Sequence, residues 1–138
     1  MNSVRRQRSI QWGGQFLVAA ELERHGYDVS FTMGNHTPVA DLMVGHSQTG
    51  IQFWVDVKAQ RPETSWWGKP KEQRLNLFYV LVRVGPTRAD DRFFILSQQE
   101  FNDLVKAYCD AHPNNGLNGF GWKDALPFEG SWTRLPSW

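Results

Sequence analysis

Ile51-Gln52-Phe53-Trp54-Val55-Asp56-Val57-Lys58 is the stretch on which the fold turns. It is rich in β-branched and aromatic residues and follows Gly50, the composition of a strand entered from a turn. Successive side chains on a strand point to opposite faces, so Phe53, Val55 and Val57 share an apolar face and Trp54, Asp56 and Lys58 share the other. An Asp and a Lys side by side in so hydrophobic a strand are costly unless something binds them. That pair is the chain's first candidate functional site.

Upstream, Trp12 to His25 reads as a helix stopped by Gly26, with Arg24 and His25 in its last turn. Placed at helical spacing, Phe16, Val18, Ala19, Ala20 and Leu22 make one apolar arc. Gln15 falls inside that arc and Glu21 outside it. A polar residue in a core-facing stripe directs that face of the helix toward a polar site, unless the amide merely bonds to backbone. Tyr27 to Met33 alternates as a first strand, Gly34 to Pro38 is a turn, and Ala40 to Val44 is a second strand with Asp41 near its start. Short connections between these strands and the 51–58 strand predict an antiparallel meander.

Downstream, Gln60 to Asn76 breaks the periodicity. Arg61, Lys69, Lys71 and Arg74 surround Trp66 and Trp67, and Pro and Gly interrupt any long element. Leu77 to Val84 is a near-continuous apolar run, as in a strand buried on both faces. Arg92 to Leu96 is a further strand. Ser97 and Glu100 form a capping box for a helix from about Gln98 to Ala111, with Phe101, Leu104, Val105 and Tyr108 on its apolar stripe.

The expected architecture is an α/β sandwich whose central mixed sheet of about five strands is flanked by helices, in the order α-β-β-β-(loop/α)-β-β-α. One domain spans residues 1–138. Residues 1–9 read as a flexible basic N-terminus and 112–138 as an irregular, aromatic-rich segment packed on the core.

Composition narrows the function. A net charge of +1 means that any nucleic-acid site must come from local clustering of cations. The single Cys109 excludes an internal disulfide and any CxxC metal site. His25, His36, His46 and His112 lack metal-ligand spacing. The basic start has no apolar signal-peptide core, and no apolar run approaches the ~20 residues of a membrane span. A cytoplasmic protein with no membrane partner is expected. No Walker loop, GxGxxG or GxSxG occurs.

Fourteen residues, 42–55, separate Asp41 from Asp56, which lets two neighbouring strands bring the carboxylates together. Carboxylates held close raise each other's proton affinity unless a cation sits between them. A hard divalent ion such as Mg²⁺ or Mn²⁺ answers that demand, and could polarise a phosphoryl oxygen and acidify a bound water. Lys58, on the face of Asp56, could orient that water or stabilise charge growing on the phosphate. Trp66, Trp67, Arg61, Lys69 and Lys71 are candidates for stacking bases and neutralising phosphates. Alternatively, the tryptophans pin the loop and the lysines face water. His36 is a candidate phosphate contact or proton carrier, or an ordinary turn residue.

A helix with an inward polar residue, then Pro38-Val39-Ala40-Asp41, then Asp56-Val57-Lys58, resembles the PD-(D/E)XK nuclease superfamily, which includes restriction endonucleases and Holliday junction resolvases. Gly14 to Leu22 with Gly26-Tyr27 resembles that superfamily's first helix and its exit. The resemblance covers about residues 10–100. It implies that Asp41 and Asp56 bind Mg²⁺ or Mn²⁺, that the Val57 carbonyl adds a ligand, and that Lys58 assists the nucleophilic water. Many members carry a glutamate on the first helix; Gln15 stands at that position here, and the Pro-to-Asp spacing is wider. Gln60 continues the Asp56/Lys58 face as a site-lining residue. The implied function is Mg²⁺-dependent hydrolysis of DNA. The alternative is a weak or inactive nuclease-fold module that binds nucleic acid or a protein. A third is an unrelated α/β domain in which Asp56 and Lys58 form a structural pair. A homodimer would let a small nuclease cut both strands.

Overall fold

The computed structural model describes residues 3–32 and 40–137, with side chains from Ile10 onward. Helix α1 (Ser3–Arg24) is followed by strands β1 (Asp28–Phe31), β2 (Leu42–His46), β3 (Ile51–Gln60), β4 (Trp66–Trp67), β5 (Leu77–Arg83) and β6 (Arg92–Ser97). Helix α2 (Gln98–Ala111), strand β7 (Gly119–Phe120) and helix α3 (Trp122–Ala125) complete the α-helices and strands among the described residues, beside three short 3-10 turns at Arg88–Asp90, Leu126–Phe128 and Trp132–Arg134. Helix α1 begins at Ser3 rather than near Trp12, so residues read as a flexible polar start form its first turns. Its exit is as expected: Gly26 adopts φ 92° and Tyr27 N–H reaches back to the Leu22 carbonyl at 3.1 Å.

Five strands form one mixed sheet in the order β1-β2-β3-β5-β6. The first three make the expected antiparallel meander, β5 lies parallel to β3, and β6 is antiparallel to β5. Strand β5 is buried on both faces, as its unbroken apolar run requires. Val80 and Val82 join Val18 and Leu22 of α1, and Phe53, Val55 and Val57 of β3, on one face. Tyr79 and Leu81 join Phe101 and Val105 of α2 on the other. Asp56 and Lys58 therefore face the α2 side while their strand is held from behind by α1.

Helix α2 starts where its cap dictates. Ser97 Oγ accepts the Glu100 N–H at 3.1 Å and the Glu100 carboxylate accepts the Ser97 N–H at 2.9 Å. The aromatic C-terminal segment packs against the core, burying Phe120, Ala125 and Leu135. Its β7 pairs with β4, and Arg92 grips Glu129 through two hydrogen bonds. Tyr27 donates its hydroxyl proton to the Pro136 carbonyl. Among the described residues, no helix is long and apolar enough to cross a membrane.

Candidate active site

The β2–β3 register pairs Leu42 with Val55, which sets Asp41, one residue before β2, opposite Asp56. Asp41 Oδ2 accepts the Val57 N–H at 2.8 Å, and Asp41 Oδ1 receives the Gln15 amide at 3.4 Å. Gln15 is buried and aims at the acid, as its place in the apolar arc suggested. One turn earlier on the same helical face, Gln11 donates to the Val57 carbonyl at 2.8 Å. Two amides of α1 thus hold one carboxylate and one carbonyl.

They reach because α1 runs against β3. A Cβ on Gly14 would lie 2.4 Å from that of Ala59 and 3.1 Å from Val82 Cγ1. Glycine there allows the close approach.

Asp56 is buried. Burial, a hydrogen bond shared with Asp56 and the charge of Asp56 push the Asp41 carboxyl up to about 7, against the opposing pull of the Val57 N–H and Lys71. Two carboxyls in contact need a proton or a cation between them. Lys71 supplies positive charge: its Nζ lies 2.7 Å from Asp56 Oδ2. The contact has the distance of an ion pair without the geometry of a hydrogen bond.

Lys58 extends along the same face. Its Nζ is 5.8 Å from the ring centroids of both Tyr79 and Phe101, which stack 3.8 Å apart and 3° from parallel. Tyr79 is opposite Asp56 in the β3–β5 register and fully buried, and burial and the nearby Asp56 raise its pKa. Gly68 closes over Lys58, where a Cβ would meet Lys58 Cε at 2.7 Å.

The other predicted residues divide. Of the two tryptophans expected to stack bases, Trp66 is buried against Phe94 and Trp122 and cannot, whereas Trp67 is 49% exposed. Arg61 and Lys69 are exposed, but Lys71 turns inward to Asp56. Gln60 turns away from the acids and donates to the Pro62 and Thr64 carbonyls, bracing the loop. His36 and Pro38-Val39 lie outside the described residues. Gln11 went unrecognised, although its spacing of four from Gln15 marks the same face.

The donor set suits a hard cation. Asp41, Asp56 and the Val57 carbonyl are oxygen donors, and a carbonyl already bonded to Gln11 keeps a second lone pair. Among the described residues no three His, Cys, Asp or Glu side chains gather as a metal cluster, so two carboxylates, a carbonyl and water are what the site offers.

No family model matches the sequence, and no curated protein does. Among solved structures, a bacterial homing endonuclease, I-Ssp6803I, matches with a TM-score of 0.59 at 13% identity, covering 97% of this chain and 91% of that one. The two chains share a fold. At that identity the likeness extends to architecture alone, the α/β arrangement of a mixed sheet between helices.

Proposed function

We propose that this protein is a divalent-metal-dependent nuclease that hydrolyses DNA phosphodiester bonds, as a member of the PD-(D/E)XK superfamily. The meeting of Asp41 and Asp56 just before the start of β2, two residues along β3 from Lys58, carries the proposal. Asp41, Asp56 and the Val57 carbonyl would hold Mg²⁺ or Mn²⁺, which when bound supplies a polarised phosphoryl oxygen and a more acidic water. Lys58, placed against two rings, would offset negative charge as the water oxygen bonds to phosphorus and gives up a proton to solvent, while the ester oxygen leaves and takes up a proton from solvent. Gln11 and Gln15 fix the carbonyl and carboxylate in place.

Exposed cations in the loop after β3 support a polyanionic partner. Arg83, Arg88, Arg92, Lys106 and Arg134 are each paired with a carboxylate. Lys58, Arg61, Lys69 and Arg74, which follow one another in sequence from the end of β3 through the loop after it, have no ion pair among the described residues, a condition they share with Arg24 and Lys123 elsewhere. Such cations bind phosphates by releasing counterions. The test is incubation of the pure protein with plasmid, linear, single-stranded and branched DNA in Mg²⁺ or Mn²⁺. Cleavage that disappears in Asp56→Asn is expected; cleavage of none of these, or cleavage that survives the substitution, defeats the proposal.

Gln15 in place of an acid favours a second function, a module that binds DNA without cutting it. Calorimetric titration with Mn²⁺ separates the two. Binding abolished by Asp41→Ala speaks for the nuclease. A homodimer, which would serve double-strand cleavage, is tested by mass from light scattering.

A further inference from the structure

Lys71 sits on an irregular segment whose other cations, Lys69 and Arg74, are exposed. Of the three, Lys71 turns inward, to within 2.7 Å of Asp56, and its charge is also felt by Asp41. One side chain seats that segment. Gln98, 2% exposed at the start of α2, donates through Nε2 to the Lys71 and Glu72 carbonyls at 3.3 and 3.0 Å and accepts the Arg74 N–H at 2.8 Å. Burying an amide is unfavourable unless its polar atoms are bonded, and here donor and acceptor are both spent on three backbone positions around Lys71.

We propose that Lys71 is the resident counter-ion of the Asp41/Asp56 pair, that Gln98 is its positioning residue, and that Lys71 leaves when a divalent ion binds. The exchange presupposes the cation site proposed above. When both carboxyls are ionised, one ammonium opposes at most one of their two charges, so the pair retains an attraction for a doubly charged ion. Asp56 Oδ2, the buried oxygen that Lys71 faces, accepts no hydrogen bond among the described residues, so the departure of Lys71 frees its lone pairs for a metal ion. The positive charge that completes the site is thus supplied by the chain itself until a metal ion arrives.

Two measurements test this. The first is calorimetric titration of Mn²⁺ into the wild type, Lys71→Met, Gln98→Met and Asp41→Ala, with a thermal melt confirming that each is folded. Removing the competing charge is expected to tighten Mn²⁺ binding by about tenfold in Lys71→Met, the equivalent of one modest ion pair, with a smaller gain in Gln98→Met. Equal affinities in wild type and Lys71→Met, with binding lost in Asp41→Ala, overturn the exchange and leave the cation site standing. Absence of Mn²⁺ binding in all four overturns both.

The second needs no metal in its first arm. The rate at which acetic anhydride modifies Lys71, read by mass spectrometry of peptides, is expected to rise in Asp56→Asn, in Gln98→Met, and in the wild type on addition of Mn²⁺. An unchanged rate in Asp56→Asn overturns the counter-ion role. An unchanged rate in folded Gln98→Met overturns the positioning role, and Lys71→Met, whose side chain is partly exposed, keeps the counter-ion role testable if Gln98→Met fails to fold.

Discussion

The Asp41 carboxylate accepts the backbone N–H of Val57 at 2.8 Å, so a residue just before β2 is fastened to the strand position between Asp56 and Lys58. The two acids do not meet through side-chain chance. Their distance is fixed by strand register on one side and by this bond on the other. Chemistry at the site should accordingly be sensitive to small changes in β3 and tolerant of changes elsewhere on the sheet.

Lys58→Met should preserve Mn²⁺ binding while lowering DNA cleavage by about 10²–10³, the range seen when one electrostatic stabiliser is removed. Single-turnover kinetics beside calorimetry check it. Equal loss of binding and cleavage would instead place Lys58 in holding the metal.

Asp41 gives the metal-free protein a characteristic pH response. Its folded carboxyl titrates at about 7, above the ~3.9 of an unfolded chain. Between those values the folded state keeps a proton that the unfolded state releases, so this group's contribution to stability is fully present below about pH 4 and is lost as pH rises to about 7. Glu100, where burial pushes upward but Arg134 and bonds to Ser97 together pull the carboxyl down, and Glu129, lowered by Arg92, act in the opposite sense, losing their contribution as the pH falls through their folded values. Denaturant melts of wild type and Asp41→Asn at pH 5 and 8 isolate the effect: the substitution should flatten the decline. A cation at the proposed site would compete with the same proton, so Mn²⁺ affinity should climb with pH up to about 7 and then level off.

Gln15→Glu would put a third carboxylate beside Asp41, where the amide now donates at 3.4 Å. Metal-free protein should melt at a lower temperature, because like charges gather in a buried place. Mn²⁺ binding should tighten, and the gap in melting temperature should close as Mn²⁺ is added.

Gly14→Ala tests the seating of α1. Helix propensity alone favours alanine by about 1 kcal/mol. The clash with Ala59 should outweigh it, since overpacking costs about 1–3 kcal/mol. A lower melting temperature with weakened Mn²⁺ binding is expected, as Gln11 and Gln15 are pushed off their partners. Raised stability would mean that α1 has room to move.

Removing Arg61, Lys69 and Arg74 together should reduce the salt dependence of DNA binding by a log–log slope of about 3, close to one unit for each phosphate no longer neutralised. Trp67→Ala should weaken binding of single-stranded DNA by about 1–3 kcal/mol if its exposed ring stacks a base. Fluorescence anisotropy across a salt series measures both.

Elements governed by local rules were legible in the sequence. The Ser97/Glu100 box fixed the start of α2, and the apolar run of β5 announced burial on both faces. The pairing of Asp41 with Asp56 could be read because a hairpin couples register to loop length. Side chains in the irregular loop carry no such period. Nothing in the order of Trp66, Trp67, Lys69 and Lys71 says which turn inward; that is set by β7, from a C-terminal segment far away in sequence, and by the Gln98 amide. Gln60 continued the acidic face on paper, yet its amide is drawn off by two loop carbonyls. Residues 33–39, with His36, lie outside the described part of the chain.

Strands β3 and β5 are the parallel neighbours among the described strands, and parallel neighbours cannot be joined by a tight turn. The connection must leave one end of the sheet and return to the other, and residues 61–76 make that journey. The stretch bearing Arg61, Trp67, Lys69, Lys71 and Arg74 is therefore as indispensable to the topology as any core strand. Trimmed to a hairpin, it would force β5 to run the opposite way beside β3, and the sheet would have to be rebuilt. Variation in this protein should accordingly replace the side chains of that crossover long before it shortens it.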